Sequence, residues 1–591
     1  MSLEWRGAAV APNDEMPAPE SWEPVTVPGR PAAFAGAEAV AYETAFDDPR
    51  DGDEEHVELV LEGAYAHTRV WCNGERVAAS DSYVAPLRVE LPDAEDYRVV
   101  VECRAPTDRF GGLHATDALP AERCVPGIWW GAELRTHPDP YVRTLRARPR
   151  VTDDGATVDV TATVVADDDL DDRLTISLRP EGSRRGGGTM DRPRVATESG
   201  RATVDHAVDV PEPALWWPRD RGEQARYVVR AKLGEDAAST TTGIRSVSHD
   251  DALRVNGERV PARGVTLLDP TPADVERAAE ANANLVRVRA QGVPPAVVEA
   301  CDEHGLLLWA DLPLTGPGNF DADRGRAMAT ALVDALAGHP SFAAVGVHDE
   351  PVDPYADGLG SGLLDRLRFR WRAWRASYDA GDAERVAEAV DAVPTFPVVG
   401  PPGVGPDAVT LYPGWRYGGV DDLAWLCDHY GVGDVVGGYG AAAGADDAGQ
   451  SHQARVVKAV AERLRRRETA VATLDSLRDA GDDAIGVIAA DGSPRPAYEA
   501  LAASYEPTQV VLADPTPGES DVCLLHDRPA RATVTVEWDH DGDREQTEHT
   551  VSAFGRVTVG SLSLAAGDEV TLAVAVDGDV VTNEYTIDED I

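Results

Sequence analysis

Lysine is almost missing from this 591-residue chain: it occurs only at positions 232 and 458, and arginine supplies nearly all the positive charge. Lys and Arg together number 55 against 103 Asp and Glu, a formal net charge of -48. The acidic residues are spread along the whole length, so the shortage of positive charge belongs to the entire surface and not to one tail. Such a surface stays soluble where salt screens charge and repels itself in dilute buffer. It points to a salt-rich host and excludes nucleic acid as a partner, because phosphates would meet carboxylates. Long apolar runs are absent as well. No stretch could span a bilayer, and the opening Met-Ser-Leu-Glu-Trp-Arg has neither a basic start nor a leader's apolar run, so no membrane partner and a cytoplasmic location are expected. Cysteine is scarce and scattered, at 72, 103, 124, 301, 427 and 523, with no Cys-x-x-Cys pair and no histidine at zinc-finger spacing. These cysteines read as small buried apolar residues, with Cys72 and Cys103 the one pair placed to face each other across a sheet. No metal site and no cofactor is implied.

What is present is a change of hydrophobic period along the chain, which is too long for one core. Residues 1–140 alternate apolar and polar over short runs, with Asn73-Gly74 as a tight-turn signal, and read as a jelly-roll-like β-sandwich. Residues 141–246 repeat the pattern with shorter strands at immunoglobulin-like length, and the Gly186-Gly187-Gly188 insert reads as a hairpin tip. From 247 to 506, apolar runs of four to seven residues alternate with amphipathic helices. Runs at 260–267, 285–288, 306–309, 342–347, 396–399, 408–411, 434–436 and 470–474 make eight strands, the number of a (β/α)₈ TIM barrel. In the clearest helix Val456, Val457, Val460 and Leu464 share one face, while Arg455, Glu462, Arg466 and Arg467 take the others. Alternation returns over 507–591, a C-terminal immunoglobulin-like sandwich.

The stretch from Leu336 to Pro351 organises the barrel. His339 and Pro340 end a helix, Phe342 to Val347 form a buried strand, and the strand delivers Asp349 and Glu350 to the barrel rim. Strand interiors pack and strand ends face ligand, which makes Glu350 the candidate chemical residue. An acidic loop after a strand is the plainer alternative. His348 reads as a satisfied structural histidine. The glycine-rich segments 358–362 and 400–405 lack the Lys-Ser/Thr of a phosphate loop, and no Gly-x-Ser-x-Gly elbow occurs.

Val27-Pro28-Gly29, Ala41 to Phe46, Trp71-Cys72-Asn73-Gly74 and Gly127-Ile128-Trp129-Trp130 resemble the sugar-binding sandwich of glycoside hydrolase family 2. The resemblance continues through Ala214 to Pro218, Gly243-Ile244-Arg245 and Val255-Asn256-Gly257. In the barrel it takes in Asn284-Leu285-Val286-Arg287, Cys301 to Gly305 with Trp309, His339-Pro340-Ser341, and Asp491 to Tyr498. It covers about residues 20–506 and implies a retaining β-glycosidase with a carbohydrate substrate. Such enzymes hold two carboxylates about 5–5.5 Å apart, one to protonate the leaving oxygen and one to attack the anomeric carbon. The resemblance places the acid/base at Glu350, with Asp349 where the family has Asn; an ionised Asp349 only accepts hydrogen bonds, and its charge raises the pKa of Glu350.

The family's nucleophile position corresponds to Gly438, which has no atom able to attack. The family's Asn and His after the first strand correspond to about Thr266 and Leu268, and its next His to Ala290 or Gln291. Arg287 matches the arginine that orients the nucleophile and is free to take an anion or another Asp. Tyr412 and Trp415 stand where the family keeps aromatics, although an arginine or a tryptophan at a strand end also serves as a strut or as packing. Substitute carboxylates are Asp311, Asp434, Asp446 and Asp447. Two functions follow: hydrolysis of β-glycosides with Glu350 as acid/base, or a degenerate carbohydrate-binding or scaffold protein that kept the architecture. A homo-oligomer is compatible with either.

Overall fold

The computed structural model describes residues 3–51, 55–183, 188–481 and 483–587. Its centre is a closed parallel barrel of Ala262–Leu267 (β1), Leu285–Val288 (β2), Leu307–Asp311 (β3), Phe342–Asp349 (β4), Thr395–Gly400 (β5), Ala408–Leu411 (β6), Val435–Tyr439 (β7) and Val471–Leu474 (β8). All eight expected runs become strands. β4 is buried along its full length, as a strand covered on both faces must be. One difference matters for the site. β7 does not stop at Val436 but continues through Gly437 and Gly438 to Tyr439, because Thr410 and Leu411 of β6 pair with Gly438 and Tyr439.

Two sandwiches precede the barrel. In the first, a six-stranded and a three-stranded sheet enclose Tyr42, Leu59, Val70, Val99 and Ile128. Asn73 and Gly74 turn its hairpin at φ 49° and 92°. Cys72 and Cys103 do not face each other: Cys72 lies opposite Val99 and Cys103 opposite Thr68, and all six cysteines are free thiols. In the second sandwich the expectation of shorter strands fails. Gly155–Arg173 and Arg194–Val210 are long antiparallel partners. A bulge between Ala166 and Asp169 lets the acidic tract run on as exposed strand, tied by Arg194 to Asp171 at 2.7 Å. Gly186 and Gly187 lie outside the described residues.

Several motifs behind the resemblance hold these units to the barrel. Trp216 is fully buried and donates from Nε1 to the Asp302 carbonyl at 3.0 Å. Asp302 accepts from the Ser341 N–H at 3.0 Å and pairs with His339 at 2.7 Å, while Arg245 donates to the Pro340 carbonyl at 3.0 Å. The last sandwich, of three and four strands, is fastened by Asp527, which is 1% exposed and takes Arg465 at 2.8 Å and Arg556 at 2.6 Å. This corrects one face of the Asp447–Arg466 helix. Glu462 is not solvated but buried, receiving Tyr585 at 2.8 Å and Asn583 at 3.0 Å, because the helix is covered by the sandwich as well as by the barrel. Among the described residues no helix is long and apolar enough to cross a membrane.

Candidate active site

At the C-terminal mouth of the barrel, strand alternation points Arg287 and Arg289 to the same side. Arg287, 1% exposed, donates from Nε to Asp311 at 2.9 Å, from Nη2 to Asp349 at 2.7 Å and from Nη1 to the Gly437 carbonyl at 2.8 Å, with its guanidinium 4.9 Å from the Trp309 ring centre. Arg289 donates from Nε to Asp349 at 2.9 Å and from Nη1 to Asp475 at 3.1 Å. Thr315 adds a third donor to Asp349 at 2.9 Å. The Tyr412 hydroxyl donates to Asp475 at 2.9 Å. Arg287 therefore ties β2 to β3, β4 and β7, and Arg289 carries the network on to Asp475 at the end of β8.

Four carboxyl groups, Asp311, Asp349, Glu350 and Asp475, thus face two guanidinium groups. Burial opposes ionisation of Asp349, but Arg289 and Arg287 outweigh it and bring the carboxyl down to about 2. On Asp311 the same effect of burial prevails and lifts the carboxyl despite Arg287. Glu350 is pushed up to about 7, first by burial and then by the charge of Asp349. A proton on Glu350 relieves part of the excess negative charge. Glu350 sits at φ 45°, in the left-handed region, just past β4, and its own N–H donates to the Val399 carbonyl at 2.7 Å. A non-glycine residue held there is over-determined by its surroundings, a feature that concentrates at functional sites. Its Oε1 is buried without a hydrogen-bond partner.

The mouth is half covered. The 3-10 segment Arg109–Ala115 of the first sandwich lies over β1 and β2, where the Leu113 N–H donates to the Ala290 carbonyl at 3.0 Å. Gly112 allows this approach: at φ 60°, a Cβ there would lie 1.9 Å from the Ala290 oxygen. Leu113, Leu119, Leu268 and Ala290 then form one apolar cluster. On the other side Arg289, Glu350, Trp415 and Arg416 remain partly exposed. A cavity of about 740 Å³ opens between the cap and the loop after β3, with Thr315 in its lining.

The family model for glycosyl hydrolases family 2 matches residues 141–245. The protein named Beta-mannosidase B of Thermothelomyces thermophilus is 26% identical over 383 residues, 52% of this chain and 43% of that protein. Its namesake in Emericella nidulans is 22% identical over 351 residues, 49% and 40% of the two chains. The chain thus spans less than half the length of these relatives. Among solved structures, the beta-D-mannosidase of Dictyoglomus thermophilum superposes with a TM-score of 0.76 at 15% identity, covering 100% of this chain and 89% of that one. The beta-glucuronidase of Bacteroides uniformis gives 0.68 at 16%, covering 99% and 79%. The chain is thus similar to glycosyl hydrolases family 2 over residues 141–245, and it shares the fold of these solved glycosidases along its whole length.

Within this shared fold the expected site residues divide. Glu350, Asp349, Arg287, Asp311 and Tyr412 share or border one network, whereas Trp415 packs edge-on against Tyr412 at 5.3 Å under the Arg416 guanidinium. Arg287 meets no free anion site, because Asp311 and Asp349 already occupy it. His348 is held at both ring nitrogens, by Tyr378 at 2.7 Å and the Gly316 carbonyl at 2.9 Å. Three of the substitute carboxylates fall away. Asp434 precedes β7 and is exposed at the opposite end of the barrel; Asp446 caps the Asp447–Arg466 helix through the Gly449 N–H, and Asp447 is exposed on its first turn. The fourth, Asp311, is bound beneath Arg287.

Sequence reasoning missed Asp475 and Arg289. Asp475 follows directly on the last barrel strand, the same signal that singled out Glu350. Its Oδ2 takes both Arg289 and Tyr412, and its Oδ1 is buried without a partner. A Cβ on Gly438 would lie 3.7 Å from the Asp475 Cβ, 3.4 Å from Thr410 Cγ2 and 3.0 Å from the Tyr412 hydroxyl. The space is tight enough that Gly438→Ala is expected to cost about 1 kcal/mol, as the hydroxyl that holds Asp475 must yield. Thermal unfolding in molar KCl measures it, and an unchanged midpoint would show that Tyr412 moves freely.

Among the described residues two groups bring possible metal ligands within 4.8 Å of one another, His56 with Asp139 and Asp167, and His540 with Asp541 and Asp568. Both stand outside the barrel-mouth network.

Proposed function

We propose that the barrel mouth hydrolyses O-glycosidic bonds of β-glycosides, with Glu350 as proton donor and Asp475 as the second carboxylate. The observation that carries this reading is the placement of Asp475: a buried carboxylate with one oxygen clamped by Arg289 and Tyr412 and the other unpartnered, beside the backbone position that has lost its side chain. In the reaction Glu350 gives its proton to the leaving oxygen as the carbon–oxygen bond breaks and the electron pair departs with the aglycone. Water attacks the anomeric carbon, and Asp475 accepts the proton it releases. Asp475 has a shorter side chain than a glutamate and projects from the neighbouring strand, so it stands back from the sugar. That leaves room for water and gives inversion.

The test is turnover of aryl β-glycosides in molar KCl, with the β-mannoside first because relatives carry that name, and with the product anomer followed by proton NMR. Turnover that disappears in both Glu350→Gln and Asp475→Asn supports the reading. No turnover across a broad panel removes it. One observation favours a second reading: the Leu113, Leu268 and Ala290 cluster fills the half of the mouth over β1 and β2. On that reading the site binds carbohydrate without cleaving it, and calorimetry with oligosaccharides would give heat of binding with no product.

A further inference from the structure

Where the first sandwich hands over to the second, His56, Asp139 and Asp167 come together from three separate segments. His56 opens the strand His56–Tyr65 of the first sandwich, Asp139 lies in the linker after His137, and Asp167 sits in the bulge between Ala166 and Asp169 of the second sandwich. His56 Nε2 stands 3.5 Å from Asp139 Oδ1 and 3.8 Å from Asp167 Oδ2, beyond hydrogen-bond reach of either. That nitrogen belongs to a side chain only 8% exposed, and it is buried without a hydrogen-bond partner. The group around His540 is different, because there Nε2 is hydrogen-bonded to Asp568 Oδ2 at 2.9 Å. An imidazole nitrogen left over and aimed between two carboxylates is short of a cation for all three groups to share.

We propose that His56 Nε2, Asp139 Oδ1 and Asp167 Oδ2 bind a zinc ion that fastens the first sandwich to the second. Ligand atoms about 2.0–2.2 Å from a tetrahedral ion stand about 3.3–3.6 Å from one another. The separations of 3.5 and 3.8 Å are close to that spacing, and Asp167, 65% exposed, is free to close the remainder. The donor set selects the ion: one imidazole nitrogen with two carboxylate oxygens suits zinc, whereas calcium and magnesium take oxygen alone. Two carboxylates also balance a double positive charge. Among the described residues neither aspartate forms an ion pair with arginine or lysine, so no fixed cation of the chain competes for them.

The surroundings hold the three groups in place. Asp139 Oδ1 accepts the Asp167 N–H at 2.9 Å, which pins the bulge to the linker and leaves that oxygen a second lone pair. The His56 ring rests against Tyr141 at 5.0 Å between centres, and Tyr141 stacks on His137 at 4.3 Å. The other ring nitrogen, Nδ1, faces Glu90 Oε1 at 3.8 Å, while the second Glu90 oxygen takes Arg201 at 3.1 Å. A carboxylate behind the imidazole is the arrangement that orients metal-bound histidines.

The full chain, stripped with a chelator and titrated calorimetrically with zinc chloride in molar KCl, is expected to show one tight site. His56→Gln is expected to weaken that site at least ~100-fold, since loss of a ligand costs no less than loss of its outer partners. Asp167→Asn changes an exposed side chain and leaves the fold in place, so it keeps the test open if His56→Gln fails to fold; it is expected to weaken binding at least ~10-fold. His540→Gln, the control on the other group, leaves the site unchanged. Zinc is also expected to raise the thermal midpoint of the wild type and not that of the two variants. An absence of tight binding overturns the proposal in favour of a protonated His56 paired with the two carboxylates. Binding indifferent to both substitutions overturns it in favour of adventitious zinc on the acidic surface, and equal binding of calcium chloride overturns the choice of ion.

Discussion

Glu350→Gln is expected to lower kcat/KM on aryl β-glycosides by about 10²–10⁴-fold, the range for removing a general acid. The structure adds a signature that loss of rate alone does not carry. With its carboxyl pushed up to about 7, Glu350 in the proposed role holds the proton to be donated below that pH, and the wild-type rate is expected to fall as pH rises through 7. The variant's residual rate is expected to lack that alkaline limb. The substitution moves stability in the opposite sense to rate. A carboxyl raised in the folded state contributes stability that is fully present below its unfolded value of 4.5 and is lost as pH climbs through 7. Glutamine, which never ionises, is therefore expected to stabilise the protein above pH 7 by about 2 kcal/mol and to be neutral near pH 4. Rate profiles and thermal midpoints across that window check both. Equal stability of the two proteins at pH 9 would mean that Asp349 and burial do not govern Glu350.

Arg287→Met is expected to destabilise the fold by about 3–5 kcal/mol, the cost of leaving a buried carboxylate without its partner. Methionine keeps much of the volume and packs against Trp309, so the loss is electrostatic and not a cavity. Arg287 is the partner of Asp311 and of Asp349, both 1% exposed, and it also satisfies the Gly437 carbonyl. Without it Asp349 keeps Arg289 and Thr315, whereas Asp311 keeps only the distant Ala290 N–H at 3.3 Å and must hold a proton. Adding Asp311→Asn is accordingly expected to recover part of the loss. Denaturant titration of the wild type, the single and the double variant in molar KCl measures it. A loss below about 1 kcal/mol, or none recovered, would show that the network does not carry the mouth of the barrel.

The eight barrel strands and their sandwich neighbours were legible in the sequence because each strand is buried on both faces and each sandwich strand on one, and burial writes its period into the residues. The same logic located Glu350 and Arg287, since a charge that closes an apolar run marks a strand end facing either a ligand or a buried partner. The sequence by itself also determined the acidic, lysine-poor surface and the loss of a side chain at position 438, because both are statements about residue identity. Only the tertiary structure decided what stands in that gap. Asp475 lies 37 positions beyond Gly438, and nothing local marks it as that residue's neighbour; closing β8 against β7 and β1 brings it there. Tertiary structure likewise decided that Arg287 is already paired, that a loop from residues 109–115 covers half the mouth, and that five apolar side chains of one helix face water. A sequence records which residues avoid water, but which of them meet depends on how a closed barrel brings distant strand ends together. That is a property of the whole chain.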